Sequence, residues 1–535
     1  MKKILILFVL GASAVAASAA EPLIFASALS AEDAPTENAK IFNYTLNTPA
    51  TAVQIILTDK DGRETAVDVP ESGLAFGANS VTLELPETLA TGDYTWAVKA
   101  TAEAVAEPTR VLSYGTTNNH GTKIDLNFSL ARGLDINTNP ASEQFGQVYM
   151  TNSWCTDYTK KYVGVIIFNP LFEFILPEAE NQVSYLGGVN WRGTAAGKTN
   201  SSPNDAFLSE DGNLYLADWT DVNAGIYMMY GSNPNNDFLH VFGGSMASSG
   251  LHTYQGAQIG GSCSTACTLG SGENLVLYTF DEELGGLAKY DLGNSDSSWL
   301  TAPTEKFGST FTIGGTSYSV NSGGNGRLRP DGRGGFWMFI NNTGAAGNPT
   351  AIHFNSNDEA DYQFSGILNT LSGAFGLSAD GTLMCIADGQ SIKFYDVAFD
   401  ETGVPSLSEH NFADGTNSVA HNAASIYGLN FDYAGNLHVL SLGTGLGLYA
   451  MPKADNSAIT PAVGQIHLDI TSGVESAVLS PAIEYKGGII SASEGAEVFN
   501  ALGAKVAEGT EISTEGLAAG VYIVRAGNQT LKIIR

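Results

Sequence analysis

The stretch Asp211-Gly212-Asn213-Leu214-Tyr215-Leu216-Ala217-Asp218 holds the fold in miniature: a glycine turn, then a strand of leucine and aromatic residues. The same unit opens at Phe145-Gly146-Gln147-Val148-Tyr149 and returns, weaker, at Ser271-Gly272-Glu273-Asn274-Leu275-Val276-Leu277-Tyr278. Asp331-Gly332-Arg333-Gly334-Gly335-Phe336-Trp337, Asp380-Gly381-Thr382-Leu383-Met384 and Ala434-Gly435-Asn436-Leu437-His438-Val439 complete six copies, recurring roughly every 58 residues. A further strand follows most copies, as in Gly164-Val165-Ile166-Ile167-Phe168 and Ile392-Lys393-Phe394-Tyr395. Solenoid repeats of 20 to 30 residues are too short for this period, whereas a four-stranded propeller blade with long loops fits it. The expected fold is all-β: an N-terminal β-sandwich, a six-bladed β-propeller over residues 120–456, and a small C-terminal β-sandwich. Long connections at 170–200 and 296–325 leave room for a seventh blade. Lys123–Phe128 is expected to supply the outer strand that closes the ring, because an open sheet edge is a liability.

The A-D-G-x-L and D-G-N-L-Y-L-A-D forms resemble blades of the NHL and lactonase-like β-propellers. That resemblance implies the fold and, for lactonase-like members, a calcium ion held by Glu, Asn and Asp on inner strands. Here those strands offer Asn204, Asp205 and Asn430 but no clear Glu, so the resemblance stops short of that activity.

Around this centre the composition narrows the function. The 535 residues include 55 acidic and 25 basic side chains, a formal charge of −30, which argues against nucleic acid as partner. Aromatic residues at 10% exclude a disordered acidic tail. Lys2 and Lys3, the apolar run from Ile4 to Leu10 and Ala17-Ser18-Ala19 read as a signal peptide over 1–19, too short to span a bilayer. Residues 22–113 alternate in period two, with a turn at Asp59-Lys60-Asp61-Gly62, and predict the sandwich. Thr91-Gly92-Asp93-Tyr94-Thr95-Trp96 in that stretch resembles the immunoglobulin-like modules of bacterial exported proteins. Residues 457–482 read as a linker. The tail 483–535 contains Val498-Phe499-Asn500-Ala501-Leu502-Gly503-Ala504-Lys505-Val506, then Leu517-Ala518-Ala519-Gly520-Val521-Tyr522, and ends on Leu531-Lys532-Ile533-Ile534-Arg535. It resembles the C-terminal sorting domain of type IX secretion in Bacteroidota, with Phe499 where Tyr is common. The resemblance implies the type IX secretion machinery as partner, passage through the periplasm, and a secreted or outer-membrane-surface location. No transmembrane segment is expected in the mature chain.

Chemistry is sought on the strands that precede the glycine turns, which line the axis of a propeller. Arg132, Arg327 and Arg329 stand out there in a chain poor in basic residues, with Asp205 and Tyr427 on neighbouring strands. Arginine forks can hold an anionic or sugar ligand, or can pair with Asp135, Asp205 or Asp331 between blades. Trp191, Arg192 and Trp219 are loop candidates; the tryptophans can stack on a sugar face or a partner surface, or pack under a long loop. Cys155, Cys263, Cys267 and Cys385 read as small buried thiols. No G-x-S-x-G elbow, H-E-x-x-H helix or Walker loop occurs, so no catalytic residue is assigned. No cofactor is expected, although the acidity admits calcium. These features favour a non-enzymatic binding protein for an extracellular glycan or protein. A propeller hydrolase or lyase acting on a glycan or lactone, and a surface scaffold, are the alternatives.

Overall fold

The computed structural model describes residues 20–112, 131–153, 164–175, 186–189, 191, 202–242, 245–246, 249–293, 302–341, 349–366, 374–421, 425–442, 445–470, 483–526 and 529–535. The proposed signal peptide, Arg192, Cys155 and the stretch Lys123–Phe128 lie outside them.

Among the described residues, six antiparallel meanders of four or more strands follow one another. Their first strands are Ala131–Ile136, Pro203–Leu208, Cys263–Leu269, Gly326–Pro330, Phe375–Leu377 and Ile426–Phe431. Their second strands are Val148–Asn152, Leu214–Asp218, Val276–Asp281, Phe336–Ile340, Leu383–Asp388 and Leu437–Ser441, so the glycine-turn repeats mark the bends between the two. Gly212, with φ of 80°, turns the chain with backbone angles that favour glycine. Asp331 and Asp432 cap the equivalent bends, each accepting backbone N–H groups two and four residues on.

Apolar clusters fill the spaces between consecutive sheets. Phe339 stacks on Phe375 at 3.9 Å between the fourth and fifth sheets. Leu440, Leu446 and Leu448 of the sixth sheet pack with Leu134, Ile136 and Met150 of the first, so the succession closes on itself in a propeller-like arrangement. The outer strand of the sixth sheet is Thr109–Leu112, whose Arg110 and Leu112 pair with Tyr449 and Leu448. The expected boundary at residue 113 therefore cuts through this sheet. The segments 170–200 and 296–325 contribute, among the described residues, short strands and a hairpin but no further four-stranded sheet. A small three-stranded sheet within 245–260 has no counterpart in the sequence reading.

Near the N-terminus, Ala26–Asp33, Ala39–Leu46 and Gly77–Glu84 form one sheet. Ala52–Thr58, Glu64–Asp68 and Gly92–Thr101 form a second, completed by Ser457–Leu468. The sheets face each other through Phe42 and Trp96, ring centroids 5.1 Å apart. The first half of the expected linker is thus an edge strand, in which Ile459, Val463 and Ile466 stand among the turn-favouring Pro461 and Gly464. Leu23–Phe25 joins this region to the sixth sheet, with Leu23 exchanging two hydrogen bonds with the Asn436 side chain and Phe25 edge-on to Phe145.

The chain divides into two compact units, and the second comprises 36–38, 85–91 and 468–535. Its tail forms one sheet of Ile483–Lys486, Ile489–Asn500, Lys505–Ser513, Val521–Ala526 and Gln529–Ile534 around Ile490, Val498, Tyr522 and Val524. No helix among the described residues is long and apolar enough to cross a membrane.

Candidate functional site

The first strands of the six sheets run side by side, close enough that two of them need glycine. A Cβ on Gly133 would sit 2.5 Å from the Ala206 nitrogen, and one on Gly428 would sit 2.7 Å from the Leu134 Cβ. Alternate residues of these strands therefore meet at the axis, where Asp205 is the hub. Arg329 grips it with both ends of its fork, Nη1 to Oδ2 at 2.9 Å and Nη2 to Oδ1 at 3.0 Å. The Thr265 hydroxyl and the Ala206 N–H donate to the same carboxylate. Arg327 Nε lies 3.3 Å from Asp205 Oδ1, in ion-pair range but off the hydrogen-bond direction. The Arg327 fork donates instead to the carbonyls of Gly326, Arg132 and Tyr427, crossing between sheets. Burial pulls the Arg327 pKa down to about 10, the Asp205 charge limiting the fall. Burial also opposes the Arg329 charge, but the Asp205 and Asp135 carboxylates outweigh it and hold its pKa above the ordinary value.

At the C-terminal ends of these strands the axis opens into two adjoining cavities of about 370 and 610 Å³. They share Thr138, Glu210, Arg329, Pro330, Leu377 and Asn430. Asp135 lies in the floor of the smaller one, accepting from Leu208 N (2.6 Å), Ile136 N (2.9 Å) and the Asn430 amide. Burial pushes its pKa up to about 6, against the pull of Arg329 and these donors. Arg333 and Asp380 border the larger cavity, and Arg333 stacks on Phe399.

The sequence-derived candidates thus separate. Arg329 with Asp205 underlies the open mouth, and Arg327 is fully buried in structural bonds. Arg132 lies toward the opposite end, its guanidinium 4.7 Å over the Tyr427 ring. Trp191 has no exposed surface; it packs edge-on against Tyr227 and Phe238, because Gly164 leaves room for its indole. The polar residues beside Trp191 suggested an exposed loop, but the ring fills the space between the first two sheets. Trp219 is half-buried and bonds Glu282. Among the described residues, no arginine side chain pairs with Asp331; its Oδ2 meets His353 Nε2 at 3.0 Å, while Asp361 holds Nδ1 at 2.7 Å. Cys263, Cys267 and Cys385 are buried free thiols.

Sequence reasoning passed over Glu210 and Thr138, just beyond the inner strands, and Leu377, the last residue of one, all of which line the mouth. Their position, flanking the glycine turns at the strand ends, is the signal that marks them. Among the described residues, Asp221, Glu282 and Glu283 bring carboxylate oxygens within 4.8 Å of one another and could hold a cation.

No family model matches the chain, and no curated protein matches it. Solved structures similar to it include an auxiliary nutrient binding protein from Bacteroides thetaiotaomicron, at 11% identity over 78% of this chain and 96% of that one, with a TM-score of 0.36. A putative 6-phosphogluconolactonase from Bacteroides fragilis is similar at 13% identity, covering 79% of this chain and 97% of that one, with a TM-score of 0.34. The WD40 β-propeller domain of Doa1 follows at 11% identity, 65% and 99% coverage, and a TM-score of 0.32. Likeness this low carries no inference to the present chain, and its propeller-like character rests on its own strand order.

Proposed function

We propose that this chain is a secreted or surface-attached binding protein whose six sheets are the blades of a six-bladed propeller, and whose axial mouth takes a polar extracellular ligand such as a glycan. The observation that carries this reading is the mouth itself. Its floor is preorganised, because Arg329 and Asp135 are already held by buried partners. Its walls mix polar groups, Glu210 and Thr138 among them, with the apolar faces of Phe207, Pro330 and Leu377. A polar rim over apolar patches suits a sugar, and the cavity volumes fall in the range of small-molecule sites. Among the described residues, the mouth lining contains neither His nor Cys, the Ser209 hydroxyl is engaged with Asp211 and Asn213, and the Ser378 hydroxyl donates to Asp380, which supports binding over nucleophilic chemistry.

Export belongs to the same reading. Residues 1–19 are the leader, the paired N-terminal sheets an immunoglobulin-like module, and the tail 483–535 the address read by the type IX machinery. Deleting 483–535 should trap the protein in the periplasm; unchanged surface display would sink the sorting assignment. For the mouth, a glycan and metabolite screen on the purified protein should yield a ligand whose affinity falls roughly tenfold in Glu210→Gln, as expected for loss of a charge-assisted hydrogen bond. A ligand indifferent to that change would place binding elsewhere.

A second reading, a hydrolase or lyase acting on a glycan or lactone at the same mouth, rests on Asp135. A buried carboxyl with a pKa of about 6 suits general acid work near neutrality. Turnover by the native chain that Asp135→Asn abolishes would replace the binding reading with this one.

A further inference from the structure

The axis has a second end, and its charges do not balance. Among the described residues, three guanidinium groups, Arg132, Arg327 and Arg329, stand along it against two carboxylates, Asp205 and Asp135. Asp205 is shared by Arg327 and Arg329, and Asp135 faces the mouth. Among the described residues, Arg132 has no carboxylate partner. Its ring neighbour Tyr427 offers only a π face, and the next cation, Arg327, lies near enough to bond the Arg132 carbonyl. The Arg132 Nε is buried and makes no hydrogen bond. Burial lowers the Arg132 pKa, with Tyr427 alone working the other way. A chain with 30 surplus negative charges thus concentrates positive charge at one end of its axis.

The neighbouring inner strands add unmatched hydrogen-bonding groups toward the same end. Ser264 Oγ and Asn204 Oδ1 are buried without a partner among the described residues, although Asn204 Nδ2 donates to the Ser264 carbonyl. Tyr427 and Arg132 are themselves only partly buried, so this end is reachable from solvent. A guanidinium held over an aromatic ring is pre-set for an oxyanion, since that contact restricts rotamers that binding would otherwise have to freeze.

We propose that Arg132, held over the Tyr427 ring, is an oxyanion-binding site at the end of the axis opposite the mouth, taking the carboxylate of a sugar acid or the phosphate of a phosphorylated small molecule. It is independent of the mouth site, and binding here neither requires nor excludes a ligand there. The test is calorimetric titration of the full chain with sodium glucuronate, inorganic phosphate and, as the uncharged control, glucose, at matched ionic strength. Glucuronate or phosphate should bind, and whichever binds tighter identifies the source of the oxyanion. Arg132→Gln should weaken that binding roughly tenfold or more, the loss expected of a charge-assisted fork. Arg132→Lys, which keeps charge without the fork, should lie between, and it also serves should the Gln variant fail to fold. Glu210→Gln should leave oxyanion binding unchanged. Glucose binding that Arg132→Gln weakens as much as it weakens glucuronate binding, no binding of either anion up to about 10 mM, or anion binding indifferent to both Arg132 variants would overturn the proposal.

Discussion

The two ends of the axis are built from the same strands and the same residue types, yet they treat charge differently. Toward the mouth, the buried charges have internal partners: Arg329 holds Asp205 by two bonds, and Asp135 takes two backbone N–H groups and an amide. Toward the other end, Arg132 rests on an aromatic face and carries its charge unmatched among the described residues. A matched buried pair is a structural element whose loss costs stability; an unmatched one costs stability by being present and is relieved by a ligand. The burial of an arginine therefore says little about its role until its partners are counted.

The severest way to break the matched end is Asp205→Asn. It removes the one carboxylate that serves both Arg327 and Arg329, and breaking a buried pair of this kind costs about 3–5 kcal/mol. Urea unfolding should show that loss, or the variant should fail to accumulate as folded protein.

A carboxyl buried among uncharged donors sharpens the comparison from the acidic side. Among the described residues, Asp218 accepts from Ser202 N and from the N–H and hydroxyl of Thr220, and burial raises its pKa to about 7. Asp135 and Asp281 are raised to about 6, again mainly by burial. In the unfolded chain each titrates at its ordinary value of 3.8, so the folded state holds a proton that the unfolded state has lost. Each group therefore removes stability as pH rises from about 4 to its folded pKa and restores it as pH falls, on the order of 2–4 kcal/mol per group. Asp218→Asn should flatten the fall in unfolding free energy between pH 5 and 7, followed by urea titration at each pH; an unchanged slope would assign that fall to other groups.

Gly133→Ala tests the closeness of the strands on which both ends depend. The added methyl meets the Asp205 and Ala206 backbone, and the expected cost is about 1–3 kcal/mol. Smallest of all is Glu210→Gln at the exposed rim, which should change stability by less than about 0.5 kcal/mol while weakening a mouth ligand.

Much of this architecture was legible because a propeller-like fold repeats its punctuation. The glycine turns at Gly212, Gly332, Gly381 and Gly435 gave the bends, and the strands after them fell where expected. What the sequence hid were the non-local pairings. Thr109–Leu112 completes the sixth sheet from more than three hundred residues away, and Ser457–Leu468 returns to an N-terminal sheet, because edge pairing has no local signal. The arginines were visible as rare charges on inner strands, but their division into matched and unmatched was not, since the partners arrive from different sheets. Trp191 stayed open between packing and stacking for a related reason: polar neighbours in the chain say nothing about the ring that Gly164 admits across the interface.

The most direct measurement is the paired unfolding free energy, in urea and without added oxyanion, of Arg329→Gln and Arg132→Gln. Loss of the matched Arg329 should cost about 3 kcal/mol or more, whereas loss of the unmatched Arg132 should be neutral or stabilising. An Arg132→Gln variant as severely destabilised as Arg329→Gln would contradict the account.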